Sequence, residues 1–170
     1  MKKIFVIMAV AAGVMVMAGS CDKKENNELV EAIAGNYEIG FTAKIEPVEA
    51  PATQEETTRA GTGTLVITEA GANIIKFQLK DLKSEETVFG NIEVPVMILS
   101  GNTSKVEIVA FEGDIRFGNA DVAGATINGS ITPAKTATEK AKVDFNIKFN
   151  TKIDGVDTSH EFTVSDKASQ

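Results

Sequence analysis

The chain has 170 residues, of which 43% are hydrophobic and 24% charged, and its formal net charge at pH 7 is -7. This length fits one domain with a sizeable core, and the acidic balance argues against binding nucleic acid, whose phosphates need Lys and Arg. One cysteine and one histidine cannot supply an intrachain disulfide or the usual zinc sites. We therefore expect neither a metal nor a cofactor.

Residues 1–20 have the order of a secretory signal peptide. Lys2 and Lys3 precede an uncharged apolar run, IFVIMAVAAGVMVMA, and small residues separate this run from Cys21. The run is shorter than the ~20 apolar residues of a membrane-spanning helix. A core helix would carry a polar face, which this run lacks. The pattern predicts a cleaved leader over residues 1–20.

The segment MAGSC, which ends at Cys21, resembles the lipobox of bacterial lipoproteins, although Ala18 stands where a Leu-type residue is more usual. The resemblance implies that the Cys21 sulfur receives a diacylglyceryl group and that the new amino terminus is acylated, for example with palmitate. Several acyl chains would give a stable membrane anchor, whereas a single chain binds only marginally. From the residues alone, a free thiol at an ordinary cleavage site is the alternative.

Residues 21–34 are interpreted as a lipidated tether followed by a short helix. The stretch DKKENNE is strongly polar, Asn27 is a candidate helix cap, and Gly35 is a candidate stop. Loss of the leader removes two lysines, so the formal charge becomes about -9. Acidic residues after the cysteine resemble export signals of surface lipoproteins in some Gram-negative gut bacteria. In enteric bacteria an aspartate in this position is associated with inner-membrane retention. We expect a cell-envelope protein, lipid-anchored to the outer membrane and facing the periplasm or the cell exterior.

Apolar residues at every second position predict about eight strands within residues 35–166. Residues 46–62 are rich in Pro, Thr, Glu and Gly and predict a long solvated loop, with Arg59 open to proteases. Pro95 lacks an N–H and predicts an edge position or a bulge, and Asn128-Gly129 predicts a tight turn. The strands are expected around these residues: Tyr37–Ile45, residues 63–69, Ile75–Leu79, residues 87–99, residues 104–117, residues 121–132, Val143–Ile153 and Val156–Val164.

The clearest prediction is a hairpin near the carboxyl terminus. Asp154-Gly155 is a strong type I′ turn signal, and such a turn places Ile153 opposite Val156. Counting back by twos then sets the pairs Phe149–His160, Ile147–Phe162 and Phe145–Val164, all on one face.

These elements favour an all-β antiparallel barrel of eight strands, with a β-sandwich as the alternative. Closing the sheet removes exposed edges. The interior of such a barrel is either packed by side chains or just wide enough for one small ligand.

The pattern over residues 35–165 resembles the calycin-like β-barrel domain of bacterial lipoproteins, a relative of the lipocalins. Gly35-Asn36-Tyr37 after a short helix is similar to the Gly-x-Trp start of a lipocalin barrel, with Tyr in place of Trp. The stretches KFQLKDLK, GNIEVPVMIL, FEGDIRFGNADVAGATINGSITP and KVDFNIKF resemble successive strands of that domain. The resemblance implies a barrel, a small apolar ligand and no catalytic residue.

The candidate pocket lining is an aromatic face with the single histidine beside it. This face is either a packed core or the wall of a ligand cavity, and His160 is either a polar anchor in a pocket or a core histidine bonded to a neighbour. The lining residues are Phe41, Phe77, Phe145, Phe149, His160 and Phe162.

No motif places a nucleophile, a base and an orienting group together, so we expect no enzyme. The Gly61-Thr62-Gly63 stretch does not open a helix, which disfavours a phosphate cradle. Acidic residues cluster without the spacing of a calcium loop and are interpreted as solvated loops and turns. The acidic groups are Glu55-Glu56, Glu85-Glu86, Glu112 with Asp114, and Asp154 with Asp157.

The sequence therefore predicts a lipid-anchored, non-enzymatic barrel that binds a small apolar ligand inside or a protein partner through its loops. The alternative is a structural or adhesive surface lipoprotein that acts through protein–protein contacts. In a fimbria-like version, cleavage at Arg59 would release a strand for donor-strand assembly. A hydrolase built on the barrel is the least favoured hypothesis.

Overall fold

The computed structural model describes residues 27–48, 57–136 and 141–166. The predicted signal peptide and Cys21 lie outside the described residues. Within these ranges, one short helix precedes eight strands. Their bounds are α1 Glu28–Ile33, β1 Gly35–Pro47, β2 Thr57–Gly71, β3 Ile74–Lys83, β4 Val88–Asn102, β5 Lys105–Phe117, β6 Ala120–Thr132, β7 Lys142–Ile153 and β8 Val156–Asp166.

The eight strands form a closed antiparallel barrel in which each strand pairs with its neighbours along the chain. β8 pairs with β1 from Ile39–Asp166 to Pro47–Thr158 and so completes the wall. The predicted all-β barrel is confirmed, and the sandwich alternative is wrong because one sheet closes on itself. Neither β1 nor β8 is an edge strand, because the two strands pair with each other.

The barrel has two unlike ends. We call one end the mouth: it holds the end of β1 and the connections at residues 84–87, 118–119 and 154–155. The other end, which we call the closed end, holds α1 and the turns at 72–73 and 103–104. Buried apolar side chains, at every second position of most strands, form one core inside the wall.

α1 covers the closed end through Val30 and Ile33, which are buried in the core. Tyr37 donates a 2.6 Å hydrogen bond from its hydroxyl to the Ile33 carbonyl. Asn27 precedes the helix as predicted, but its side chain donates to Glu69 at 2.5 Å rather than capping the helix. A six-residue helix is unstable alone, so packing and these bonds hold it. Across the described ranges, every helix is too short or too polar to cross a membrane.

The β7–β8 hairpin has the predicted register throughout. Ile153 pairs with Val156, and Phe149 pairs with His160. Asp154 and Gly155 have φ values of 51° and 84°, as a type I′ turn requires. The turn therefore determines which side chains of both strands point into the barrel.

β4 departs from the predicted alternation at two bulges. Val88, Val96 and Ile98 were expected on the inner face with Ile92 and Val94, but all three are exposed. Near Pro95, one residue of β3 faces two residues of β4, which confirms the predicted bulge. An extra residue shifts the alternation by one position, so the side chains beyond it change face.

Two loop predictions are wrong. β2 begins at Thr57, so the connection after β1 is shorter than the expected 46–62 loop, and Arg59 pairs with Ala43 of β1. Asn128-Gly129 lies inside β6, where Gly129 pairs with Phe145. The turn between β5 and β6 lies at Gly118-Asn119, between the strands predicted to end at Phe117 and to begin at residue 121, and Gly118 has a φ of 60°.

Candidate functional site

An aromatic cluster fills the half of the barrel next to the mouth. Phe162 lies at its centre, with ring centroids 5.6 to 6.2 Å from four other phenylalanine rings. β1, β4, β5, β7 and β8 each contribute at least one ring, so the cluster spans the barrel interior. Its members, called the mouth cluster below, are Phe41, Phe89, Phe117, Phe149, His160 and Phe162.

The structure divides the predicted lining residues between two places. Phe41, Phe149, His160 and Phe162 belong to the mouth cluster. Phe77 and Phe145 instead contact each other edge to face, with centroids 5.1 Å apart, towards the closed end. All six are buried. A ligand at the mouth would therefore meet four of the six.

Two members of the mouth cluster were not among the predicted lining residues. Phe89 lies 5.4 Å from Phe41 by ring centroids, and Phe117 lies 5.0 Å from Phe149. Both are only half-buried. Phe89 is the extra residue of a bulge between Val88 and Gly90. Such a bulge can redirect a side chain. Without the bulge, strict alternation along β4 would have placed Val88 inside the barrel and Phe89 outside.

His160 is enclosed beside this aromatic wall, with 3% of its surface exposed. Its ring stacks on Phe149 at a centroid distance of 5.0 Å and an interplanar angle of 12°. Nε2 shares a 2.8 Å hydrogen bond with Thr151 Oγ1, in which the imidazole tautomer decides the donor. The buried Nδ1 has no hydrogen-bond partner among the described residues. Burial lowers the pKa of His160 below its usual 6.5, because a charged imidazolium is disfavoured in an apolar site.

A narrow polar layer lies between the cluster and solvent. Thr158, which pairs with Thr151 across the hairpin, is buried and donates from its hydroxyl to the Val156 carbonyl at 3.2 Å. Val156 and Ile153 at the hairpin tip are exposed. The β7–β8 hairpin thus has two exposed apolar side chains at its tip, with hydroxyl groups and aromatic rings deeper in the barrel.

A separate cleft of about 820 Å³ lies beside the mouth, between residues 57–62 of β2 and residues 83–86. Pairing of β2 with β3 extends only as far as Thr62–Lys83, while β2 continues to pair with β1 as far as Thr57. Arg59 and Glu86 form an ion pair across this cleft. Towards its start, β2 therefore pairs with β1 and borders the cleft on its other side.

The glycine pair in this region has a packing role. A Cβ on Gly61 would stand 2.3 Å from the Lys83 carbonyl oxygen and 2.6 Å from the Phe41 ring. A Cβ on Gly63 would stand 2.7 Å from Leu82. These glycines allow β3 and the Phe41 ring to approach β2, which accounts for the GTG stretch without a phosphate.

The acidic groups of the sequence do not converge on a metal site within the described ranges. Glu85-Glu86, Glu112 with Asp114, and Asp154 with Asp157 are all exposed on loops or on the outer wall. Glu55-Glu56 lies outside the described residues.

Comparisons of this chain with family models, with curated proteins and with solved structures found no match.

Proposed function

We propose that this chain is a lipid-anchored, non-enzymatic lipoprotein with a calycin-like barrel, which binds a small apolar ligand at the mouth. The mouth cluster is the observation that carries the proposal. Six aromatic rings from five strands meet at one end of the barrel, and two of them, Phe89 and Phe117, are half-buried. The clefts of about 820, 510 and 440 Å³ are lined by other residues, so a ligand at the mouth would displace the half-buried rings and not enter a preformed cavity.

The position of the helix supports an orientation with the mouth turned away from the membrane. Asn27 lies at the closed end, where it binds Glu69. An extended chain from Cys21 to Asn27 reaches at most about 20 Å. A lipid on Cys21 would therefore hold the closed end near the bilayer surface, and the mouth would open to the periplasm or to the cell exterior.

The surroundings of His160 support binding rather than catalysis. Thr151 and His160 could be compared with a nucleophile and its base, since 2.8 Å separates their side-chain atoms. A working dyad of this kind usually has a third group that orients the base. Nδ1, where that group would bind, has no partner among the residues described, and burial lowers the pKa of the imidazole.

Analysis of the bound small molecules tests the ligand. The protein is purified from its native host, and co-purifying molecules are identified by mass spectrometry. We expect a stoichiometric apolar compound that is lost in Phe149→Leu, which removes the ring that stacks on His160 and keeps an apolar side chain. Val88→Ala is the control, because this side chain is 79% exposed and outside the cluster. A protein that consistently carries no small molecule, and takes up none in solution, contradicts the ligand proposal.

The anchor is tested separately. In a bacterium that processes lipoproteins, we expect the wild-type amino-terminal peptide to begin at Cys21 with the mass of acyl chains added. Cys21→Ser should abolish this modification and move the protein from the membrane to the soluble fraction. An unmodified Cys21 thiol in the wild-type protein would refute the anchor while leaving the ligand proposal standing.

The cleft beside β2 favours a second candidate, in which a protein partner adds a strand. Extended segments bind to strand edges through main-chain hydrogen bonds, and the cleft borders β2 beyond its last pair with β3, Thr62–Lys83. The fimbria-like version also needs cleavage at Arg59, but this residue pairs with Ala43 and binds Glu86. We expect limited trypsin digestion to cut first at the exposed Lys135. Rapid cleavage at Arg59 followed by polymerisation would favour the strand-release version.

A further inference from the structure

We propose that Nδ1 of His160 is the hydrogen-bonding anchor for a flat, uncharged apolar ligand that carries one hydroxyl group. This inference rests on the proposed function and deepens it, because it names the class of ligand and the atom that recognises it. The ligand would lie against the mouth cluster and displace the half-buried rings Phe89 and Phe117.

One ring nitrogen of His160 has no hydrogen-bond partner within the described ranges. His160 is 97% buried, its Nε2 is bonded to Thr151, and its Nδ1 is enclosed without a partner among the described residues. A buried polar atom that lacks a hydrogen bond destabilises a fold, because its interaction with water has been lost and not replaced. Such atoms are uncommon in native proteins and call for an explanation. A ligand group that bonds to Nδ1 would remove this cost.

The arrangement of the rings around His160 favours a flat ligand. The rings of His160, Phe149 and Phe162 are nearly parallel, with interplanar angles of 12° and 7° between successive rings. Phe117 lies tilted against His160 and Phe149 at centroid distances of 5.6 and 5.0 Å, so its displacement would open a place for the ligand against these two rings. Aromatic walls of this kind favour a flat apolar body, which can stack on them or meet them edge to face.

The surroundings of His160 favour an uncharged ligand. Burial in apolar surroundings lowers the pKa of His160. The ring contacts of His160 are with Phe117 and Phe149, and its hydrogen bond is with the neutral Thr151. An ionic ligand would be buried there without a counter-charge, which is costly. A hydroxyl group is neutral and can donate or accept, so it fits either tautomer of the imidazole.

The partly exposed rings of the mouth cluster give the ligand access to the interior. A fully buried ring such as Phe162 cannot move without opening a cavity in the core. Phe89 and Phe117 are partly exposed, and the exposed Val88 lies next to Phe89. These two rings are therefore the members of the cluster that a ligand displaces at least cost.

The test uses 2-naphthol and 2-methylnaphthalene, which share a flat body and differ in the hydroxyl group. The chain has no tryptophan, so naphthalene fluorescence reports binding without that background, and its one histidine gives a single set of imidazole nitrogen signals by NMR. We expect 2-naphthol to bind about tenfold more tightly, the effect of one hydrogen bond. It should also shift the Nδ1 resonance, whereas 2-methylnaphthalene should not.

Two variants of His160 separate its nitrogens. The amide of glutamine reaches about as far as Nε2, so His160→Gln keeps a partner for Thr151 and leaves no polar atom near Nδ1. The shorter amide of asparagine reaches about as far as Nδ1. We expect the tenfold preference to vanish in His160→Gln and to survive in part in His160→Asn. Val106→Ala, a core change near the closed end, should leave the preference intact.

The outcomes distinguish this inference from the proposed function. Equal affinity of the wild-type protein for both probes, with an unmoved Nδ1 resonance, would refute the anchor and leave an apolar binding site in place. A preference that persists in a folded His160→Gln variant would also refute it. No binding of either probe up to its solubility limit would refute the proposed ligand-binding function, and the anchor with it.

Discussion

The ring of Phe145 in β7 covers the backbone of Gly129, its pairing partner in β6. A Cβ on Gly129 would stand 2.4 Å from the Phe145 ring and 2.2 Å from the Asp144 carbonyl oxygen. The φ of Gly129 is 153°, a conformation that side-chain-bearing residues rarely adopt. Phe41 covers Gly61 in the same way between β1 and β2. In both pairs a glycine provides the space in which a core phenylalanine lies.

We predict that Gly129→Ala lowers the free energy of unfolding by at least about 2 kcal/mol, because overpacking and backbone strain add. Urea denaturation should show a lower midpoint with an unchanged slope. The control is Gly71→Ala, where the added Cβ would make an ordinary 3.6 Å contact with Ile74. This change should be neutral or slightly stabilising. Equal stability of the two variants would contradict the packing role of Gly129.

The Phe145–Gly129 pair also explains why one sequence prediction failed. Asn128-Gly129 has the composition of a tight hairpin turn, but a glycine opposite a large ring also fits the middle of a strand. The ring that selects the second outcome lies 16 positions later in the chain. Local composition carries no information about such a distant partner, so the turn could not be distinguished from the strand.

Where local information is complete, the sequence predicts both the strand and its register. Asp154-Gly155 demands one turn type, and that turn determines every pair from Ile153–Val156 to Phe145–Val164. The position of His160 beside Phe149 follows from this count. Bulges interrupt the count in β4, where Phe89 is an extra residue. The sequence therefore indicates the three cluster members on β7 and β8, together with Phe41 of β1, but misses Phe89 of β4 and Phe117 of β5.

We predict that Phe162→Ala destabilises the barrel by about 3–5 kcal/mol, the usual cost of removing a fully buried phenylalanine. Its ring contacts those of Phe41, Phe89, Phe117 and Phe149. Phe89→Ala removes a half-buried ring and should cost clearly less. Thermal or urea denaturation of both variants gives the comparison. A Phe89→Ala variant as unstable as Phe162→Ala would show that Phe89 is a core residue and not a displaceable ring at the mouth.

We predict that Thr151→Val costs about 1–3 kcal/mol, because it leaves both buried nitrogens of His160 without a partner. Thr151→Ser retains the hydroxyl and is the matched control, with a smaller loss. The cost should shrink when His160 is replaced by Phe, since no imidazole then remains to be satisfied. Chemical denaturation of the two single variants and the double variant completes the cycle. Additive effects would show that the Thr151–His160 bond contributes nothing to stability.

The protonation of His160 provides a prediction about acid. Burial lowers the pKa of His160 in the folded state below the usual 6.5, which should apply to the unfolded chain. Between these two values the unfolded state binds more protons than the native state, so stability should decrease as the pH falls below about 6.5. The largest contribution of one group to this slope is about 1.4 kcal/mol per pH unit.

NMR titration of this single histidine should give a pKa below 6.5 in the folded protein and a return to about 6.5 in urea. His160→Gln should abolish this component of the pH dependence and leave the components from the carboxylates, which act at lower pH. Glu161 illustrates that distinction: its hydrogen bonds with Asn146 and Lys148 lower the pKa of its carboxyl group. A folded His160 that titrates above 6.5 would mean that a charged imidazolium is stabilised in the barrel, contrary to the apolar enclosure described above.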